Sequence, residues 1–169
     1  MKQLILGGAR SGKSRYAEKL AEQSGKDVFY LATARAGDEE MTARIQRHQE
    51  QRPTNWQLIE EELFLANTLR KHDSKDHCIL VDCLTLWLSN LLCHKDEQLL
   101  AEQKNALLEV LPNINSHIIF VSNEVGHGIV PMGELNRRFV DESGWLHQDL
   151  AGHCEKVDFI MAGLPLTLK

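Results

Sequence analysis

Short apolar runs alternate along the chain with stretches whose apolar positions recur every three or four residues, the two periods expected of strands and helices. The first run, Gln3–Leu6, leads through glycines into a helical pattern that ends near Gly25, a suitable C′ residue. Val28–Ala32 reads as the second strand. A helix is expected from about Asp38, with Glu39 and Glu40 in its first turn, to about Arg52, because Pro53 disfavours continuation. Trp56–Ile59 is a third strand, followed by a helix over Glu61–Lys71 with Leu63, Leu65, Ala66 and Leu69 on its apolar side. Cys78–Val81, closed by Asp82, is the fourth strand. Helices over Leu84–Leu92 and Asp96–Leu111 follow, with a break near Cys93–Lys95. His117–Val121 is the fifth strand and runs into the loop Ser122–Pro131. A long helix covers Gly133–Glu155, Val157–Met161 is the sixth strand, and Leu164–Leu168 supplies a last edge strand. Strands alternating with helices build βαβ units. The 169 residues therefore read as one α/β domain, a doubly wound, mostly parallel sheet flanked by helices. In such a sheet, ligands bind beyond the carboxyl ends of the strands.

The glycines after the first strand change the picture from fold to chemistry. Gly7-Gly8-Ala9-Arg10-Ser11-Gly12-Lys13-Ser14 fills every fixed position of G-x-x-x-x-G-K-[ST], between a strand and a helix as that motif requires. Successive N–H groups of such a loop cradle phosphate oxygens, and the helix that starts there adds its positive end. Lys13 would reach the β- and γ-phosphates, and the Ser14 hydroxyl is placed to ligate Mg²⁺. A nucleoside triphosphate is the expected ligand.

Composition narrows the partners. Apolar content of 43% is ordinary for a globular chain, and no apolar run approaches a membrane span, so no stable membrane anchoring is expected. The start of the chain is too short in apolar residues for a signal-peptide core. A net charge of −5 without any Lys/Arg block argues against nucleic acid as a partner. The cysteines, Cys78, Cys83, Cys93 and Cys154, form no C-x-x-C pair and no zinc pattern, which points to a reduced, cytoplasmic protein.

Three further groups carry chemistry or an ordinary structural role. Asp82 ends an apolar strand, where a carboxylate either holds Mg²⁺ or merely caps the next helix. Arg44, His48 and Arg52 fall one turn apart on one helical face. That stripe suits phosphate and a nucleophilic imidazole, and equally suits a solvated helix surface. Asn123-Glu124-Val125-Gly126 follows the fifth strand, either at the ligand edge or as a plain βα connection, with Gly126 and Gly128 allowing close approach or positive φ. The other histidines, His147 among them, read as exposed or as structural hydrogen-bond partners.

Taken together, Gly7–Ser14, Ala32-Thr33-Ala34, Arg44-Ile45-x-x-His48-x-x-x-Arg52-Pro53-x-x-Trp56, Asp82-Cys83-Leu84-Thr85 with Asn90-Leu91-Leu92, and Asn123-Glu124-Val125-Gly126-x-Gly128-Ile129-Val130-Pro131 resemble the adenosylcobinamide kinase/adenosylcobinamide-phosphate guanylyltransferases of cobalamin biosynthesis. The resemblance spans essentially the whole chain. It implies a RecA-like P-loop sheet and two reactions. In the first, ATP or GTP phosphorylates adenosylcobinamide; in the second, GTP donates GMP to adenosylcobinamide phosphate through a GMP–histidine intermediate, releasing pyrophosphate. The matching nucleophile is His48. Some members carry two adjacent histidines there, whereas here Arg47 precedes it. By the same resemblance Lys13 joins His48 in catalysis. Gly7, Gly8, Ala9, Arg10, Ser11, Gly12, Lys13, Ser14, Ala32, Thr33, Ala34, Arg44, Arg52, Glu60 and Asp82 bind nucleotide. Ser14 and Asp82 hold Mg²⁺, and Asn123, Glu124 and Gly126 border the acceptor. A homotrimer is implied as well. Some members have glutamate in place of Asp82, and the segment His94–Val110 is shorter than usual. Two competing functions share the P-loop: a monofunctional small-molecule kinase, which needs no nucleophilic His48, and a GTP-binding switch, for which no N-K-x-D guanine signature is present.

Overall fold

A computed structural model describes residues 1–34, 53 and 55–169. The expected helix over 38–52, and with it Arg44, His48 and Arg52, lies outside the described residues. Its elements are β1 Lys2–Gly7, α1 Lys13–Gln23, β2 Asp27–Ala32, β3 Gln57–Glu60, α2 Leu65–Lys71, β4 His77–Asp82 and α3 Leu84–Leu92. They continue with α4 Leu99–Val110, β5 His117–Asn123, α5 Glu134–His153, β6 Lys156–Met161 and β7 Leu164–Thr167. The strands form one seven-stranded sheet in the order β3-β2-β4-β5-β1-β6-β7. Every pairing is parallel except β6 with β7, which is antiparallel.

Both faces of the central strands are buried, which is why they read as unbroken apolar runs rather than alternating ones. Leu4, Leu6, Leu31, Ile79, Val81 and Phe120 point to the face covered by α2–α5, where they meet Leu65, Leu69, Trp87, Leu107, Leu146 and Leu150. Ile5, Tyr30, Leu80, Ile119 and Val121 point the other way, against Ala17 and Ala21 of α1. Trp87 is fully buried and donates its indole N–H to the Leu63 carbonyl at 2.8 Å.

Two helix starts differ from the sequence expectation, each because an acidic side chain binds free amides first. Glu61 Oε1 accepts the N–H groups of Leu63 and Phe64, each at 2.8 Å, so α2 begins at Leu65 rather than Glu61. Asp96 Oδ1 accepts the Gln98 N–H at 3.0 Å, and α4 begins at Leu99. At the other end of α4 the chain tightens into a 3₁₀ turn, Leu111–Asn113, that contains Pro112. The last edge strand is present, and a two-residue turn joins it to β6. Ala162 has φ 52° and Gly163 φ 80°, the double positive φ of a type I′ hairpin.

Candidate active site

Strand register fixes which residues share the carboxyl edge of the sheet. Glu60 pairs with Ala32, Ala32 with Asp82, Gly7 with Asn123, and Gly7 with Ile160. From β3 to β1 the edge therefore presents Glu60, Ala32, Asp82, Asn123 and Gly7. β5 stands between β4 and β1, so Asp82 lies two strand spacings, about 10 Å, across the sheet from Gly7.

The turn after β1 has the form of an anion cradle. Gly12, the N-cap of α1, has φ 96° and ψ 4°; no side chain caps the helix and no acidic residue stands in its first turn. The first amides of an 11-residue helix are thus left to a ligand. Arg10 is also left-handed, with φ 57°. Lys13 Nζ donates to the Gly8 carbonyl at 3.2 Å, which holds the ammonium over its own loop. Gly7 has no room for a side chain: a Cβ there would stand 2.6 Å from the Ile160 carbonyl oxygen and 2.6 Å from Ser11 Oγ. Ser11 Oγ and Asn123 Oδ1 are buried at this edge without a hydrogen-bond partner among the described residues.

Asp82 is oriented from below. Its Oδ2 accepts the Tyr30 hydroxyl at 2.7 Å, and Tyr30 stacks on Trp56 with ring centroids 6.5 Å apart. Thr33 is fully buried; its hydroxyl donates to the Cys83 carbonyl at 2.7 Å and accepts the Cys83 N–H at 2.9 Å. Asn90 Nδ2 donates to the Thr33 carbonyl at 2.8 Å. The segment after β2 is thereby tied to the segment after β4, and Thr33 acts on this edge through the Asp82–Cys83 backbone. Burial pushes the Cys83 thiol up to about 11, with the Asp82 charge adding to the effect, so it stays protonated and unreactive at neutral pH.

The loop after β5 is nearer the glycine loop than its place in the sequence suggests. The Glu124 N–H donates to the Gly7 carbonyl at 3.0 Å. Glu124 Oε1 accepts the Gly126 N–H at 2.5 Å, and a Cβ on Gly126 would come within 2.9 Å of that oxygen. Gly126 serves by leaving room for the carboxylate, not by positive φ, while Gly128 has open space around it. Of the remaining predicted residues, Glu60 and Ala9 are exposed, and Ala34 is half-buried beside Thr33.

Comparison with known proteins decides the family. The family model described as cobinamide kinase / cobinamide phosphate guanyltransferase matches residues 3–168. The chain belongs to this family. It is 58% identical over 169 residues to the bifunctional adenosylcobalamin biosynthesis protein CobP of Pseudomonas aeruginosa, covering 100% of this chain and 98% of that one. It is 34% identical over 179 residues to the bifunctional adenosylcobalamin biosynthesis protein CobU of Escherichia coli, covering 98% of each. The cobinamide kinase/guanylyltransferase family thus supplies two transferase activities of cobalamin biosynthesis. Its fold is that of P-loop NTPases. The RadB recombinase superposes with TM-score 0.52 at 16% identity, over 94% of this chain and 73% of its own. A Pyrococcus horikoshii protein, PH0250, superposes with TM-score 0.57 at 8% identity, over 99% and 85%.

Two features of this cobinamide kinase/guanylyltransferase site were not singled out in the sequence. Gly163, at the β6–β7 turn, donates its N–H to the Ser11 carbonyl at 2.8 Å and packs 3.1 Å from the position of a Cβ on Gly12. The signal for it was a glycine between two apolar runs. The second is His147 on α5. It is buried, with Nδ1 3.5 Å from Glu124 Oε2 and Nε2 2.8 Å from Ser122 Oγ. Burial holds its imidazole below the usual histidine range, with Glu124 opposing that effect.

Proposed function

We propose that this chain phosphorylates adenosylcobinamide with ATP or GTP and then transfers GMP from GTP to the resulting phosphate through His48. The observation that carries the reading is the uncapped α1 N-terminus, with Gly12 left-handed and Lys13 over the loop, on a chain of this family. In the first step the acceptor hydroxyl oxygen bonds to the γ-phosphorus, the bond to the β,γ-bridging oxygen breaks, and the nucleoside diphosphate leaves. In the second, a His48 ring nitrogen bonds to the α-phosphorus of GTP and pyrophosphate leaves. A phosphate oxygen of the corrinoid then displaces the imidazole to give adenosylcobinamide-GDP. Splitting the transfer replaces one hard displacement by two easier ones. Arg44 and Arg52, four residues either side of His48 in the sequence, neutralise the phosphates.

The chemistry of two donors suits Mg²⁺: the Ser14 hydroxyl at the glycine loop and the Asp82 carboxylate at the end of β4 are hard oxygens of the sparse kind that this ion completes with waters and phosphate oxygens. Among the described residues no larger cluster of His, Cys, Asp or Glu suits a metal. Bound there, Mg²⁺ would screen phosphate charge; Lys13 and the loop amides orient the same phosphates.

A homotrimer in the cytoplasm completes the reading. What favours self-association is the apolar surface after β5, where Ile129 is 98% and Met132 96% exposed, with Val130 and Leu135 alongside; the threefold count is taken from the family resemblance. Contiguous exposed apolar groups of this kind mark association surfaces. Among the described residues no helix is long and apolar enough to cross a membrane.

Labelled GTP separates these steps. With α-labelled GTP the protein should acquire an acid-labile, alkali-stable label, and γ-labelled GTP should leave none by this route. His48→Ala should abolish the label and guanylyl transfer while sparing most ATP-dependent phosphorylation of adenosylcobinamide. A label that persists in His48→Ala, or maps elsewhere, removes the nucleophile assignment. A wild type that phosphorylates but never labels is a monofunctional kinase.

A further inference from the structure

We propose that His147 is a positioning residue for phosphoryl transfer, fixing the Glu124 carboxylate as the acceptor of the proton that the corrinoid hydroxyl loses. This rests on the kinase reading above and assigns a role to a site that reading left undivided.

The argument starts from a buried polar chain. The Asn123 backbone N–H donates to Thr85 Oγ1 at 2.7 Å. Thr85 Oγ1 and Ser122 Oγ are 3.2 Å apart, Ser122 Oγ and His147 Nε2 are 2.8 Å apart, and His147 Nδ1 faces Glu124 Oε2 at 3.5 Å. Thr85, Ser122 and His147 are all buried. Two directions of hydrogen bonding are conceivable. If Nε2 carried the proton and donated to Ser122, Ser122 would donate to Thr85. The Thr85 hydroxyl proton would then turn to the Cys83 thiol, a weak acceptor, and the bare Nδ1 lone pair would face a carboxylate. Both are costly in a buried setting. In the opposite direction Thr85 donates to Ser122, Ser122 donates to Nε2, and Nδ1–H faces Glu124 Oε2 at 3.5 Å, an electrostatic contact without hydrogen-bond geometry. A backbone amide at the end of β5 thereby sets the tautomer of an imidazole on α5, as an outer-shell partner does elsewhere.

Glu124 is the carboxylate so held. Its own N–H is bound to the Gly7 carbonyl, Oε1 is bound by the Gly126 N–H, and Oε2 faces His147. It is anchored on the strand next to β1, beside the loop over which the γ-phosphoryl must sit. Asp82, at the end of the neighbouring β4, has one oxygen taken by Tyr30 and is the carboxylate suited to the metal. When the acceptor O–P bond forms and the β,γ-bridging bond breaks, the hydroxyl proton passes to Glu124. Without His147 the carboxylate keeps its charge and loses its aim.

Two substitutions separate aim from packing. In Asn the side-chain amide sits where His carries Nδ1, so His147→Asn retains a donor to Glu124 and loses Ser122. In Gln the amide reaches the Nε2 position, so His147→Gln retains Ser122 and loses Glu124. In steady-state assays with ATP and adenosylcobinamide, His147→Gln should lower kcat about 10- to 100-fold with the KM for ATP unchanged. His147→Asn should recover turnover to within about threefold of wild type, on the same scale. Labelling of His147→Gln by α-labelled GTP, which needs no acceptor proton transfer, should persist. Equal losses in both variants, losses that follow melting temperature, or a change confined to KM would overturn the proposal. So would an Nε2–H tautomer at His147 in the ¹⁵N spectrum of wild type at neutral pH; the Nδ1–H form is expected. If the kinase reading itself is wrong, wild type will transfer no phosphate to adenosylcobinamide, an outcome distinct from any pattern among the variants.

Discussion

Asp82 occupies a strand end where two roles compete, and its neighbours separate them. Tyr30 donates to Oδ2 and the Thr33 hydroxyl bridges the next residue's backbone, so the fold around Asp82 is held by groups that an amide would also satisfy. Asp82→Asn keeps an acceptor for Tyr30 and removes the negative charge. Stability should change by no more than about 1 kcal/mol, because one hydrogen bond is retained in altered form. Mg²⁺-dependent turnover should fall about 100-fold, the scale of losing one preorganised electrostatic group. Thermal melting beside a steady-state assay decides it: a collapse in melting temperature with turnover intact would make Asp82 a purely structural residue. At this scale the sequence was informative where chemistry is local. Gly7–Ser14 is a contiguous motif whose meaning does not depend on distant residues. Glu124 and His147 come from separate elements, and only the packing of α5 under the β5 edge brings them together. A lone histidine on a polar helix carries no sign of that contact.

At the scale of elements, the central strands were legible because burial on both faces leaves no polar alternation to confuse the pattern. Helix starts were less so, since Glu61 and Asp96 each bind amides that a continuous helical pattern would have claimed. The β6–β7 hairpin was visible as a strand and not as a contact. Its turn residue Gly163 needs positive φ and holds Ser11 through its N–H. Gly163→Ala places a Cβ on a residue at φ 80°, which costs about 1–2 kcal/mol in the left-handed region. Among the described residues no atom stands within 4 Å of that Cβ, so the cost is conformational and not a clash. The turn should open or shift, loosening the carbonyl of Ser11 and with it the glycine loop. The expected result is a lower melting temperature together with a raised KM for nucleotide and little change in kcat. A loss of stability with KM unaltered would show that the hairpin supports the sheet edge and not the loop.

For the whole molecule, buried histidines couple the fold to pH. His117 is 7% exposed at the start of β5, with Nε2 3.0 Å from Gln3 Oε1, a geometry that suits a neutral ring donating its Nε2–H. Burial, reinforced by the chain's terminal ammonium and Lys26, pushes it down to about 4 from an ordinary 6.5. His147 and His72 are lowered in the same direction by burial. The unfolded chain therefore binds protons that the folded one refuses. Below pH 6.5 stability falls, and the His117 share of that fall ends near pH 4, where the folded form also protonates. Asp73 and Glu155 act in the window beneath. Burial raises both carboxyls, but hydrogen bonds from Asn115 and Ser116 to Asp73, and backbone hydrogen bonds with the charges of the terminal ammonium and Lys2 at Glu155, outweigh it and hold them below the ordinary 3.8 and 4.5, so stability they contribute at neutral pH is lost on further acidification. Allowing for solvent screening, the His117 share is about 2 kcal/mol, which in a chain of this size corresponds to about 5 °C. Gln at position 117 places an amide donor where Nε2 was and cannot take up a proton. His117→Gln should therefore flatten the melting-temperature profile between pH 6.5 and 4 by about that amount, and leave the steeper fall below pH 4 in place. Calorimetric scans of wild type and variant at matched ionic strength measure the difference directly. Parallel profiles through this window would mean that His117 titrates alike in the folded and unfolded chains, and that acid sensitivity resides in the other buried histidines and the carboxylates.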